Sequence, residues 1–192
     1  MAGNTVAQTL AASPNITGGA WRAPLGSTLP TDTTTALTTP LVPLGYVGDQ
    51  GVTRTENRPQ TKKFAWGGSL VASLQQSYSV TYTFQLLQPL DPDVLMAVHS
   101  DGNVTVTPAT STVGTITTTT LNPTLNKNAV WVFEGFYQLA TVRQALPIAR
   151  VTEVRAYKWT HLDLAVYDCT LEAFPDNSGN FVYQITDDGV HT

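Results

Sequence analysis

A mainly β fold, a sandwich or barrel with one short helix packed outside it, is predicted by three observations. Charged residues make up only 12% of the chain, against about 25% in an ordinary soluble domain. Thr and Val are abundant while Lys and Glu are scarce, which favours strands over helices. Several segments alternate apolar and polar residues with period two, the signature of a half-buried strand. The 192 residues suffice for one sizeable core and fall short of two.

Residues 1–43 form a polar lead punctuated by Pro14, Pro24, Pro30, Pro40 and Pro43. Such a lead reads as an extended N-terminal arm that docks on a partner, with Trp21, Leu25 and Leu29 to bury. It sets the expected division of the chain: an arm over 1–43 and a β domain over 44–192. Residues 41–52 read as a strand carrying a glycine-rich turn at Gly45, Gly48 and Gly51. Residues 53–63 are polar and charged, contain Pro59, and read as a mobile loop. A strand begins near Phe64, breaks at Gly67-Gly68 and resumes at Ser69.

The clearest strand covers residues 78–86. Tyr78, Val80, Tyr82, Phe84 and Leu86 fall on one face, and Ser79, Thr81, Thr83 and Gln85 on the other. A helix is expected from Pro92 to about Ser100. Asp91 is its N-cap, Pro92 suits the first helical position and Asp93 complements the dipole. Val94, Leu95 and Val98 supply its apolar stripe, and Gly102 its left-handed cap. Strands follow at 104–107 and within the Thr run 112–120. Residues 129–138 are apolar on both sides around Val130-Trp131-Val132-Phe133, as a central strand would be. Residues 148–154 and 167–174 alternate. A turn at 175–180 leads to a last strand over 181–186.

The residues point away from chemistry. Net charge is −4, and the sole basic cluster is Arg54, Arg58, Lys62 and Lys63, so no stripe for nucleic acid is present. Cys169 alternates with polar neighbours and reads as a small buried hydrophobe. His99, His161 and His191 share no motif with it. Gly45, Gly48 and Gly51 precede no helix, as a phosphate cradle requires. Asp168 and Glu172 sit on one strand face about 13 Å apart at ~3.3 Å per residue, too far for a glycosidase pair. Asp163 adds no closer partner. Asp176 and Asp187-Asp188 lack calcium-loop spacing. Asn15-Ile16-Thr17 and Asn103-Val104-Thr105 match the glycosylation pattern. The N-terminal residues lack the basic and apolar regions of a secretory signal, and no run reaches the ~20 apolar residues of a membrane helix. The expectation is folding in a cytoplasm, no enzymatic activity and no cofactor or metal.

Five stretches, in order, resemble the major tail proteins of siphophages, particularly those infecting actinobacteria. They are Gly45-Tyr46-Val47-Gly48-Asp49-Gln50-Gly51-Val52, Ala65-Trp66-Gly67-Gly68, Thr81-Tyr82-Thr83-Phe84-Gln85-Leu86, Asp93-Val94-Leu95-Met96-Ala97-Val98, and Thr170-Leu171-Glu172-Ala173-Phe174-Pro175-Asp176. The resemblance implies a tail-tube β-sandwich with a flanking helix. It implies six subunits per ring, each lending strands to a continuous inner barrel, and rings stacked around a tape-measure protein. Tail-terminator and distal-tail proteins would be further partners, and double-stranded DNA would pass through the bore without specific binding. The protein would then reside in the virion, with no membrane contact. Arg54, Glu56, Arg58, Lys62, Lys63 and Trp21 are the expected contacts between subunits or rings. Other readings stay open at this point: a capsid decoration protein, the inner tube of a contractile phage, or a carbohydrate-binding β-sandwich using Trp131, Trp159 and Tyr157.

Overall fold

The computed structural model describes residues 10–14 and 18–190. Residues 1–9 of the expected arm, the Asn15-Ile16-Thr17 match and His191 lie outside them. The elements in chain order are β1 (Ala20–Pro24), β2 (Val42–Pro43), β3 (Val47–Asn57), β4 (Gln60–Phe64), β5 (Leu70–Gln75), β6 (Ser79–Leu86), α1 (Pro92–His99), a 3-10 turn (Asp101–Asn103), β7 (Val104–Thr107), β8 (Ile116–Thr119), β9 (Ala129–Tyr137), β10 (Ala140–Val154), β11 (Tyr167–Phe174) and β12 (Tyr183–Asp187). The fold is mainly β with antiparallel strands and one short helix, as the composition and alternation predict. The described residues include no helix long and apolar enough to cross a membrane.

One antiparallel sheet carries the core, in the order β2-β1-β9-β10-β11-β6-β3, with β12 also on β10. β10 belongs to two layers. Its first half, Thr141 to Ala145, lies between β9 and β12, and its second half pairs with β11. Leu146 faces Trp131 and Ala149 faces Ala129, so β10 spends three residues where β9 spends two. That extra residue is a β-bulge, which bends a strand and raises its twist. Pro147 sits inside it, where a missing N–H breaks no ladder bond. The bulge also switches parity: Leu146 before it and Ala149 and Val151 after it enter the same core. The sheet therefore folds over on itself.

The fold-over brings β6 against β9, which share no hydrogen bonds. Tyr82 stacks on Phe133 with centroids 5.0 Å apart, and Phe84 meets Trp131 at 5.9 Å. The Tyr82 hydroxyl donates to Gln144 Oε1 at 2.6 Å. The expected period-two strand is present: Val80, Tyr82, Phe84 and Leu86 are buried in alternation. Trp131 is 1% exposed, and burial of a side chain this large contributes about 1.5–3 kcal/mol. β9 is apolar on both sides because both sides are covered. Ala129, Trp131 and Phe133 enter the larger core, while Val130 and Val132 enter a smaller one with Trp21, Ala23, Leu41 and Ala145.

The smaller core changes the expected division at Pro43. β1 and β2 lie before that point and are strands of the same sheet, with Trp21 opposite Val132. The segment between them lies over the outer face of β9, with Leu29 and Leu37 packed on the smaller core. Arg143 anchors it. Its guanidinium is 2% exposed and meets Glu134 at 3.0 Å. It also donates to the carbonyls of Asp32 at 2.7 Å, Thr35 at 3.1 Å and Thr33 at 3.3 Å. Asp32 pins the same turn by accepting the Thr34 and Thr35 N–H groups, and the Thr35 bond above all holds its carboxyl below the usual range.

α1 closes one end of the core with Val94, Leu95, Ala97 and Val98 buried. Asp91 caps it through the Asp93 N–H at 2.9 Å. The expected cap at Gly102 is not used: Ser100 takes the positive φ of 76° instead. Side chains replace the glycine cap, since Asn126 donates to Val98 O and Asn103 to His99 O, both at 2.8 Å. Arg22 on β1 holds Asp101, just beyond α1, through two bonds of 2.7 and 2.9 Å. Cys169 is fully buried, and burial first, then Asp168, pushes its thiol up to about 12.

Replacing Arg143 by Ala leaves Glu134 buried without its charge partner and frees the turn at Asp32. Urea unfolding of the monomer should show a loss of about 3–5 kcal/mol. A second expectation concerns pH. Burial lowers the His99 pKa below its ordinary 6.5, so the unfolded chain takes up the proton more readily than the fold. The stability from neutral His99 is complete above pH 6.5 and is lost as pH falls below it. Asp101, lowered chiefly by its bond from Arg22, loses its contribution only at lower pH. His99→Gln should flatten the upper part of the acid limb of a melting-temperature profile and leave the lower part in place.

Candidate assembly interface

β3 is an edge strand. It pairs with β6 on one side, and among the described residues nothing in the sheet pairs with the other. A row of free N–H and C=O groups on an edge is a template for another chain. The register sorts its side chains. Val52, Arg54 and Glu56 share the face of Phe84, Tyr82 and Val80, while Thr53 and Thr55 share the face of Thr83 and Thr81. That second face continues onto Thr170 and Glu172 of β11 and Arg150 of β10. The result is a polar surface of mostly uncharged hydroxyls across four strands.

Arg54, Glu56 and Arg58, expected as contacts between subunits, are brought together within one chain. Arg54 and Arg58 each lie 3.3 Å from a Glu56 oxygen. The Tyr78 hydroxyl donates to Glu56 at 3.1 Å, and this bond before that of Arg58 lowers the Glu56 carboxyl. Arg58 lies 4.4 Å over the Tyr78 ring. Arg54 reaches across the open side of the fold to Gln184 of β12 at 2.9 Å. Trp21 stands apart from them, 9% exposed in the smaller core.

The expected mobile loop at 53–63 is ordered strand. β3 runs to Asn57, a step at Arg58-Pro59 follows, and β4 pairs with β5 as a separate two-stranded sheet. The ladder carries on across the step, because the Gln76 N–H donates to Pro59 O at 2.8 Å. Residues 53–63 are polar on both sides of the strands, so no alternation marks them in the sequence. Lys62 and Lys63 lie on β4 opposite Ser73 and Ala72. Neither pairs with a carboxylate among the described residues.

Sequence reasoning missed what the same hairpin exposes. Phe64, Leu70, Val71 and Leu74 are each more than half exposed, and Trp66 is fully so. The turn at 65–69 presents Trp66. Ala65 N–H donates to Ser69 O at 2.8 Å, and Gly67 and Gly68 take φ of 108° and 87°, a region that disfavours other residues. Five large apolar residues inside a polar stretch were the available signal. Two more uncovered segments follow the same pattern. β7 and β8 form an exposed hairpin, and the residues from Val104 to Asn126 include no charge. The stretch after β10 exposes Trp159, Leu162 and Leu164.

The aromatic platform of a sugar-binding face is not formed. Trp131 is buried, and Tyr157 meets Trp159 edge-on at 80° between planes. A groove of about 700 Å3 opens between the two layers, lined by Val47, Val52, Tyr82, Phe133 and Val142 among others, with Asp49 exposed beside it.

No family model matches the sequence, and no curated protein matches it. Among solved structures, one match is a chain of the sheath-tube complex of an extracellular contractile injection system (PVC) in its extended state. It is 10% identical, covers 91% of this chain and 93% of that chain, and has a TM-score of 0.43. At that score the likeness assigns neither fold nor function to this chain.

The two halves of the basic cluster should separate in mutants. Reversing Lys62 and Lys63 to Glu should leave the monomer's melting temperature unchanged and raise the concentration for self-association roughly tenfold or more. Reversing Arg54 and Arg58 should lower the melting temperature as well, since it breaks the Glu56–Tyr78 network.

Proposed function

We propose that this chain is a structural subunit that polymerises with its own copies into stacked rings, forming the tube of a phage tail. The β4–β5 hairpin is the observation that carries this reading. A two-stranded hairpin is marginal in water, and this one turns five large apolar side chains outward with no body beneath them. It gains a cover in an assembly. The free edge of β3 supports the same reading, because pairing it with a neighbouring copy extends the sheet from subunit to subunit and closes a ring without open edges.

The ordered resemblance of the five sequence stretches to siphophage major tail proteins supplies the finer picture. Six subunits close each ring, and rings stack around a tape-measure protein between tail-terminator and distal-tail proteins, within the virion. The face of Thr53, Thr55, Thr81, Thr83 and Thr170 suits the bore. It is hydrated and carries few cations, so DNA passing along it finds no counter-charge to hold its phosphates. The work of such a subunit is mechanical, and no catalytic step is assigned to it.

Joining Arg58 to Tyr78 by Asn-Gly in place of the segment from Pro59 to Ser77 reconnects β3 and β6 through a two-residue turn that keeps Asn57 opposite Ser79. The shortened protein should keep the melting transition of the monomer and form no filaments in negative-stain micrographs at concentrations where the full chain forms hollow ones. Filaments from the shortened protein would reject the hairpin's role. Full chain that stays monomeric at every concentration in sedimentation would reject the assembly itself.

A further inference from the structure

We infer that the groove between the two layers is the receptor for the β4–β5 tip of a second copy, so that Trp66 of one subunit seats between β3 and β9 of the next. This rests on the self-assembly reading and names the surface that receives the hairpin. Three observations meet on it. The first is placement. The groove is lined by the start of β3, at Val47 and Val52, and the tip stands at the far end of the ladder that β3 begins. The separation from Val47 to Trp66 along the strands is at most roughly 60 Å at ~3.3 Å per residue. A knob at one end of a subunit and a hole at the other make a head-to-tail contact, which propagates where an isologous one would stop at a dimer.

Fit is the second observation. A groove of about 700 Å3 lies within the ~300–1,000 Å3 of sites that enclose a compact ligand. Its apolar walls, Val52, Phe133 and Val142, suit an indole, and exposed Trp is the residue type that most often anchors a protein interface. Charge is the third. Among the described residues, Lys62 and Lys63 flank the tip without carboxylate partners, and the exposed Asp49 at the groove forms no ion pair. The neighbouring cation, Arg54, is already held by Glu56 and Gln184.

The test uses full-length chains with one new cysteine each. Ala65→Cys places a thiol on the tip and Gln50→Cys places one at the groove, both on exposed positions. The native Cys169 is buried and does not compete. The two variants, carrying tags of different mass, are mixed, assembled and oxidised. The expected product is the mixed dimer, at least about tenfold above the same-variant dimers. Trp66→Ala should raise the half-assembly concentration at least about tenfold, and Asp49→Lys should weaken assembly in the wild type but restore it in a Lys62→Glu, Lys63→Glu background.

Assembly without the mixed dimer, or with only Ala65→Cys joined to itself, would overturn this contact and leave the self-assembly reading standing. Unchanged assembly of the Trp66→Ala variant would overturn it likewise. Absence of association in all variants and in the wild type would reject both.

Discussion

The bend in β10 is the constraint on which the rest of the molecule depends. A flat sheet of seven consecutive strands would leave the apolar faces of β6 and β9 on one open side. The bulge at Pro147 turns the strand so that β11, β6 and β3 swing over β9. Only then do Tyr82 and Phe84 reach Phe133 and Trp131. The bulge also changes which residues of β10 point inward, so one strand supplies Leu146 and Val151 to the same core from opposite parities. A proline is suited to this place, because the ladder bond it cannot donate is the one the bulge already omits.

Folding over buries one face of β9 and leaves the other to be covered from elsewhere. Residues 25–41 do this, held by a buried guanidinium that meets one carboxylate and three carbonyls. A buried ion pair is a poor source of stability compared with apolar packing, yet costly to break. Its use here has a geometric reason: Arg143 binds backbone carbonyls of a turn that has few apolar side chains to offer. The same closure stops short between β3 and β12, where Arg54 and Gln184 bridge a gap and the groove remains. The core and the groove thus come from one bend. The layers meet where aromatic residues are supplied, and stay apart where glycine and polar residues are.

The surface follows from this division. The subunit spends its apolar residues in two places, the folded-over core and three projecting segments. Its body is covered by hydroxyls and amides, with charge kept low. A free sheet edge is a hazard for a solitary protein. Toward the end of β3 the charges are answered locally, with Arg54 and Arg58 both held by Glu56.

Much of this was legible in local pattern. Alternation over residues 78–86 and 167–174 found β6 and β11, the doubly apolar run around Trp131 found β9, and Asp91-Pro92-Asp93 found the start of α1. These are effects of neighbours within a few residues, so a linear reading contains them. Four features lay beyond it. β4 is wet on both faces and shows no period, whereas the strand expected to resume at Ser69 is present as β5. The first half of β10 hides behind a parity switch and a proline. Trp21 reads as an arm's anchor until β9 is placed beside it. The helix cap moved from Gly102 to Ser100 because Asn103 and Asn126 answer the last carbonyls. Periodicity and capping act along the chain and belong to the sequence. Which face is covered, and by what, depends on residues more than a hundred positions apart, as with Arg143 and the turn at Asp32, and is settled only when the sheet folds over.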